Sequence, residues 1–350
     1  MYQLKQHKTF SLFLMEERMK KLLKQALAVC AAVLLSAGIS QAADYNLKLQ
    51  TYYPATTLQI AKGFADNVKA MSNGRVDIQI FSGGELVGSG NILKSVKTGM
   101  IDIGHGMGHH FAEMKTGTLE SGLPMAWMDT TEAQILYKHR GLKEIFEKQY
   151  ENAGVVYLGP TRASAYQLLT KTPVSSLDEL RKLKIRAVGA AAKMLTNLGV
   201  SCVNLPVEDI YMALSTGQID GVLYGNAFEY EETKYYEVAQ YINTTPLIDP
   251  ITDTLIINKK LWDSFPDDIK AIFRAAADCA VNDYYFFTAN ESMRIIGTTF
   301  KDKTTSFSAE DQKEILQAAI KVWDEEAKRS PEFAKGVEIL KQFAKEKGRL

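Results

Sequence analysis

The chain has 350 residues, 46% of them hydrophobic and 23% charged, with 41 basic and 41 acidic side chains and a formal net charge of zero. That composition is ordinary for a globular protein of one large domain or two linked lobes, with a core that needs no disulfide or metal staple. A neutral chain without a Lys/Arg run or a basic-aromatic stripe excludes the nucleic-acid-binding classes.

The first element is a targeting segment. Lys20, Lys21 and Lys24 form a basic patch, an apolar stretch runs from Ala26 to Ala37, and Ser40-Gln41-Ala42 places small residues before a cut after Ala42. This is the layout of a secretory signal peptide, and its apolar stretch is shorter than the roughly 20 residues of a membrane span. Met19 reads as the start, with residues 1–18 as an upstream extension. Residues 1–42 hold six Lys/Arg and two Asp/Glu, so residues 43–350 keep 35 basic and 39 acidic side chains, net −4. A periplasmic chain without direct membrane insertion is expected. Cys30 leaves with the signal segment. Cys202 and Cys279 show no paired spacing and read as unpaired small hydrophobes, although export permits a disulfide.

From Leu47 onward strand and helix alternate, which predicts an α/β fold with mostly parallel sheets. Leu47–Tyr52 is a strand. Thr56 or Thr57 caps a helix with Leu58, Ala61, Phe64, Val68 and Met71 on one face, and Gly74 ends it. Val76–Ile80 is a strand, Ile92–Val96 a helix and Ile101–Ile103 a strand. Val155–Leu158 is a strand, and Ser176 with Glu179 forms a capping box. Leu183–Val188 is a strand, Ala191–Leu198 a helix stopped by Gly199, Ile210–Leu214 a helix and Ile219–Leu223 a strand. Ile269 to about Ile296 contains neither Gly nor Pro and reads as one long helix; Ser308 caps another reaching about Lys328. Thr98-Gly99-Met100-Ile101-Asp102 is echoed 118 residues later by Thr216-Gly217-Gln218-Ile219-Asp220. Each piece reads as a helix end, a glycine cap and a strand. The echo is either common capping chemistry or the mark of two similar lobes.

The ordered set Leu183-Lys184-Ile185-Arg186, Leu198-Gly199-Val200, Glu208-Asp209-Ile210-Tyr211-Met212-Ala213-Leu214, Thr216-Gly217-Gln218-Ile219-Asp220-Gly221 and Tyr235-Tyr236-Glu237-Val238-Ala239 resembles the solute receptors of tripartite ATP-independent periplasmic (TRAP) transporters, of the dicarboxylate-receptor type. The likeness extends to Gly122-Leu123-Pro124-Met125-Ala126-Trp127 and Asn258-Lys259-Lys260-Leu261-Trp262. The resemblance implies a two-lobed periplasmic-binding-protein-like fold with a hinge and a long helix spanning both lobes. It places lobe I at about 43–165 plus 253–300, and lobe II at about 166–252 plus part of the C-terminal helices. It implies a small organic acid as ligand, held by one arginine, and integral membrane subunits of the transporter as partners, with no cofactor and no catalysis.

Arg186 stands where the family motif carries that arginine. Elementary chemistry agrees: it lies near the carboxyl end of a predicted strand, the edge that faces the crevice in open α/β sheets, and a guanidinium grips a carboxylate through two parallel hydrogen bonds. Two departures from the family pattern stand out. Lys182 replaces a usual glycine, and Leu223-Tyr224 occupies positions where many relatives carry an acid or amide that can help hold a metal. Leu223 cannot ligate a cation, so a site without bound metal and with a more apolar wall is expected. Tyr224 would line that wall and Asn226 would offer a hydrogen bond. Further candidates follow other strands: Tyr53 beside Tyr52, His109 and Phe111, and Arg162 with Tyr166. Together they suggest a pocket for a bulky or aromatic monoacid, although aromatics more often pack and a lone arginine more often bridges to a surface acid.

Three rival readings compete. An exported metalloenzyme could use His105 and His109, spaced four apart, but Gly104, Gly106 and Gly108 interleave them and oppose a helix. The same glycines imitate a dinucleotide fingerprint, with the third at the wrong spacing. A receptor feeding a signalling sensor would share the fold.

Overall fold

The structure is a computed structural model that describes residues 43–55 and 57–350. The signal segment with Met19 and Cys30, and the capping candidate Thr56, lie outside the described residues. Eleven strands are described: β1 (Tyr45–Thr51), β2 (Val76–Phe81), β3 (Ile103–Gly106), β4 (Val155–Ala163), β5 (Tyr166–Thr170), β6 (Lys184–Arg186), β7 (Ser201–Val203), β8 (Gly221–Leu223), β9 (Tyr241–Ile248), β10 (Ile251–Asn258) and β11 (Thr304–Thr305). They form two sheets, one in the order β2-β1-β3-β10-β4 and the other in the order β11-β9-β5-β8-β6-β7. Each sheet is the floor of one lobe of a two-lobed α/β fold.

The sheets are mixed rather than mostly parallel. β1 pairs β2 and β3 in parallel, and β6 pairs β7 and β8 in parallel. The antiparallel members are β10 against β3 and β4, and β5 against β8 and β9. They arise because two connections run straight from one sheet into the other. β4 continues into β5 through Ser164 and Ala165, and β9 continues into β10 through Asp249 and Pro250. Sequence reading found only the first half of β4 and missed β5, β9 and β10. Their apolar runs carry interrupting polar residues such as Thr252, Asp253 and Thr254, all buried here.

The third crossing is the long helix, Asp267–Thr298, which is called the spine helix below. It packs against β4 and the Gln59–Met71 helix at one end and the Ala227–Glu232 helix at the other. Its buried face explains its place. Phe273 is fully buried against Phe64, Trp262 and Phe265, with ring centroids 5.3–6.3 Å apart. The helix capped by Ser308 spans Ala309–Glu326 and carries its capping box. A last helix, Pro331–Glu346, was not foreseen; it packs against the Leu142–Ala153 helix of the first lobe. Thr57 does not cap the Gln59–Met71 helix, whose N-cap is Leu58 without a side-chain bond.

The internal echo is structural. Gly99 and Gly217 both adopt left-handed backbone, φ +78° and +75°. Asp102 and Asp220 then play one role in the two lobes. The Lys48 N–H donates to Asp102 Oδ2 at 2.8 Å, and the Lys184 N–H donates to Asp220 Oδ2 at 2.8 Å. In return the Asp102 and Asp220 N–H groups donate to the Lys48 and Lys184 carbonyls. Each aspartate stitches the strand it precedes to its parallel neighbour.

The glycine run also has a packing cause. A Cβ on Gly104 would lie 2.6 Å from Ile92, on Gly106 2.7 Å from the Phe111 ring, and on Gly108 2.5 Å from Glu120 Oε2. β3 starts later than expected and runs through Gly104 and Gly106, which let the Ile92–Thr98 helix and the Phe111 ring close on the sheet, while Gly108 opens the short turn that follows. Cys202 and Cys279 are both free thiols.

Replacing Phe273 by alanine should cost about 3–5 kcal/mol, the usual range for emptying a core aromatic site. Chemical denaturation measures it, and a loss below about 1 kcal/mol would contradict the packing described. A second prediction concerns Glu120, which is 1% exposed and accepts hydrogen bonds from Tyr150 at 2.7 Å and Thr254 at 2.5 Å. Burial raises its pKa to about 7. The native state thus holds this proton more tightly than the unfolded chain, and the group's contribution to stability grows as pH falls from about 7 towards its ordinary value. The wild-type advantage over Glu120→Gln should increase as pH falls through that window. An unchanged difference in unfolding free energy across it would contradict the assignment.

Candidate ligand-binding site

Arg186 ends β6, where Ile185 is fully buried and Lys184 is exposed. Arg186 leaves the sheet on the face shared with Lys184, opposite Ile185, yet at the carboxyl end of the strand it is covered by neighbouring segments and is 5% exposed. One edge of its guanidinium is held by the protein: Nε and Nη2 donate to the Leu205 carbonyl at 3.1 and 2.9 Å. The cation lies 5.8 Å from the Tyr224 ring centroid. Tyr166, Tyr235 and Tyr230 complete its electrostatic surroundings, and burial lowers its pKa. Among the described residues it has no acidic partner. Leu205 fixes the fork in place and leaves its charge unanswered, the state that suits a visiting carboxylate.

The wall around this arginine is tyrosine-rich. Tyr224 follows β8, half-buried, and its ring centre lies 6.2 Å from that of Tyr235. Burial pushes the phenols of Tyr224 and Tyr166 well up, so both stay neutral. Asn226 is 1% exposed and caps the Ala227–Glu232 helix; its Oδ1 accepts from the Glu229 N–H at 3.1 Å and from Ser292 Oγ at 3.3 Å. Asn226 Nδ2 is buried and without a partner. Glu229 completes the capping box, and burial raises its pKa to about 7.

The first lobe contributes a second cluster. Tyr52 donates to Asp253 Oδ1 at 3.0 Å, and Tyr53 to Asp253 Oδ2 at 3.1 Å. Asp253 is fully buried on β10, and His105 Nε2 stands 3.6 Å from it. The field of Asp253 reaches Tyr166 and Glu229 across the lobes. Asp253 pairs with Thr161 near the end of β4 and Tyr166 opens β5 just beyond, so the two clusters lie on either side of this strand crossing. Asp253 escaped sequence reading. Its signal was an acid inside the apolar run Ile251–Ile257, where an unpaired charge is costly and a partnered one is required.

The other candidates fall elsewhere. Phe111 is 1% exposed with its ring against Gly106, a core position. His109 is exposed on a short turn, its Nδ1 3.0 Å from Ser121 Oγ, while His105 is buried on β3 between Thr51 and Thr161 hydroxyls at 2.9 and 3.0 Å. The two histidines share no ligand-like geometry, and no group of three or more His, Cys, Asp or Glu side chains placed to hold a metal occurs among the described residues. Arg162 is 1% exposed on β4, bonded through Nη1 to Gln134 Oε1 at 2.5 Å and set 6.0 Å from the Tyr137 ring centroid. Its Nε is unpartnered, and burial lowers its pKa to about 10. Its neighbours, from the Thr130–His139 helix and the spine helix, are not those of Arg186.

A family model described as bacterial extracellular solute-binding protein, family 7 (DctP) matches residues 54–330. The chain belongs to this family, whose members are transport receptors rather than enzymes. Among individual relatives, it is 26% identical over 336 residues to a monocarboxylate 2-oxoacid-binding periplasmic protein of a Nostoc species, spanning 92% of this chain and 90% of the relative. A TRAP periplasmic solute-binding protein from Chromohalobacter salexigens, solved with (S)-(+)-2-amino-1-propanol, superposes with a TM-score of 0.76 at 25% identity, covering 87% of this chain and 96% of that one. A counterpart from Colwellia psychrerythraea, solved with calcium and pyruvate, has a TM-score of 0.75 at 24% identity over 85% of this chain and 94% of its own.

Arg186→Ala should weaken ligand binding by roughly 2–5 kcal/mol, because it strands a desolvated carboxylate. Arg186→Lys keeps the charge and loses the planar fork, so it should recover only part of that affinity. Isothermal titration of the three proteins settles the order; full affinity in either variant would contradict the role.

Proposed function

We propose that this chain is a periplasmic receptor that captures a small organic acid, a bulky or aromatic monoacid in particular, by closure of its lobes and delivers it to the membrane subunits of a TRAP transporter. One observation carries the reading: a buried guanidinium, anchored on one edge by the Leu205 carbonyl, with no acidic partner among the described residues. The ligand's carboxylate supplies the missing charge. Tyr224, Tyr166 and Tyr235 offer ring faces and neutral hydroxyls to the rest of the molecule. Asn226 Nδ2 is a ready donor for a second oxygen. The named ligands of two relatives, 2-oxoacid and pyruvate, belong to the same chemical class. The amino alcohol bound by the Chromohalobacter protein does not, which makes amines the necessary controls.

Binding proceeds as a shift between open and closed lobes, the closed form being favoured because only there do both lobes touch the ligand. The segments Ser164-Ala165 and Asp249-Pro250, with the spine helix, are the hinge. The site binds the acid without a metal, since Leu223 and Tyr224 stand where a coordinating side chain would be needed. No bond is made or broken. Export with cleavage after Ala42 rests on the basic patch at Lys20, Lys21 and Lys24, the apolar stretch Ala26 to Ala37 and the small residues before the cut.

A thermal-shift screen tests the class of ligand, because a ligand that binds the native state raises the melting temperature by mass action. Aliphatic and aromatic monoacids, dicarboxylates, matched amines and neutral sugars should be run side by side. Acids should stabilise and the amines and sugars should not. Stabilisation by amines or sugars alone would defeat the proposal.

A further inference from the structure

Three helices among the described residues are closed by capping boxes, and the acid of one is out of the ordinary. At Glu179 and Asp311, hydrogen bonds from Ser175 and Ser308 hold the carboxyl below its usual pKa, as expected of a cap. Glu229 closes the third box, on the Ala227–Glu232 helix, where the Asn226 N–H donates to its Oε2 at 3.0 Å. There burial outweighs that bond and raises the pKa to about 7. A cap needs only an acceptor, and glutamine serves at this position as well. An ionisable group in so buried a place carries a cost that capping does not explain.

Its second oxygen is uncommitted. Among the described residues Oε1 makes no hydrogen bond, and no Lys, Arg or His pairs with the carboxyl. On the same helix Glu231 does have a cation, Arg294, at 3.2 Å. Tyr166, Tyr224 and Tyr284 are the phenols nearest in influence: after burial, the charge of Glu229 acts on all three more than any other charge. Tyr284 belongs to the inner face of the spine helix, is 3% exposed and has a hydroxyl without a partner. Further along that face the Ser164 N–H donates to Thr288 Oγ1 at 3.0 Å, and Ser292 donates to Asn226, the cap of the Glu229 helix. The Tyr284 ring lies 6.0 Å from that of Tyr53, whose hydroxyl is held by Asp253, and the field of Asp253 reaches Glu229 as well. An uncommitted carboxylate oxygen with tyrosine rings beside it and a second acid in range makes a place for a cation.

Two of these tyrosines also neighbour Arg186. The guanidinium lies 5.8 Å from the Tyr224 ring centroid, and Tyr224 and Tyr166 are the charges that act on it most. Arg186 and Glu229 form no ion pair with one another. The two groups stand apart with tyrosines in common, so a ligand that answers both must carry its own charges at separated ends. We infer that Glu229 is a second anchor of the ligand site and takes the cationic end, an ammonium or amidinium, of an acid whose carboxylate is held by Arg186. The inference rests on the proposed capture of an acid by Arg186 and narrows that acid to a zwitterion with its charges several bonds apart. A simple amine answers Glu229 and leaves Arg186 unsatisfied, so it gains little from the site.

The test uses protein recovered from the periplasm of an expressing host and titrates it calorimetrically with matched acids. Each pair differs only in an ammonium against a methyl group at the far end: γ-aminobutyrate and valerate, ε-aminocaproate and heptanoate, para-aminomethylbenzoate and para-ethylbenzoate. In at least one pair the amino member should bind about tenfold more tightly than its partner, the usual scale of one charge-assisted contact. Glu229→Gln keeps the cap and removes the charge, so it should bring that ratio close to one. Glu229→Asp keeps the charge on a shorter arm and should retain part of the preference. Three results would overturn the inference while leaving Arg186 as the anchor of an acid: monoacids that bind with no amino member preferred, a preference that survives Glu229→Gln, or an equal loss of both members in that variant, which is what a purely structural role gives. If no acid binds at all, the reading of Arg186 fails and this one fails with it.

Discussion

The architecture depends on a positive charge kept in a buried place without a counter-ion. Taking a guanidinium out of water is costly, and proteins ordinarily meet that cost with an acid close by. Arg186 meets it only in part, through the Leu205 carbonyl and the faces of tyrosine rings. In the function proposed, a carboxylate ligand repairs the remaining deficit. Burial therefore gives selectivity as well as affinity: a neutral guest would leave the cation unsatisfied in the closed state, and an amine would add a second positive charge beside it.

The rest of the fold serves to place that charge at a crossing. Two lobes with the same strand-stitching aspartate, Asp102 in one and Asp220 in the other, are joined by β4–β5, by β9–β10 and by the spine helix. The joints are short and backed by the polar inner face of the spine helix, the geometry that the proposed closure of the lobes requires. On the first lobe the counterpart of Arg186 is an acid already satisfied: Asp253 holds Tyr52 and Tyr53 by their hydroxyls. One lobe offers an unanswered charge, and the other offers a preorganised apolar-aromatic wall.

Much of this was legible in the chain itself. Helical periodicity located the Gln59–Met71 helix, the lack of Gly and Pro located the spine helix, and Ser176 and Ser308 marked helix starts through their capping boxes. The Lys184-Ile185-Arg186 motif placed an arginine near the carboxyl end of a strand, which is where it lies; its burial was not foreseen. What escaped was long-range. β5, β9 and β10 are buried on both faces and carry threonines and an aspartate whose partners come from distant segments, so no local alternation announces them. The glycines at 104, 106 and 108 imitated a dinucleotide fingerprint at the wrong spacing and opposed a helix for His105 and His109. They are places where Ile92, Phe111 and Glu120 approach the backbone, a constraint that exists only after folding. Phe111, read as a cleft residue because it follows a strand, is core for the same reason.

A crystal structure of the protein with an acid that stabilises it would test the central claim most directly. The account predicts the lobes closed on the ligand, its carboxylate within hydrogen-bond distance of the guanidinium of Arg186, and the Leu205 carbonyl still holding the other edge of the fork. A ligand carboxylate bound by other groups, with Arg186 turned towards solvent or bonded to a protein acid, would contradict it.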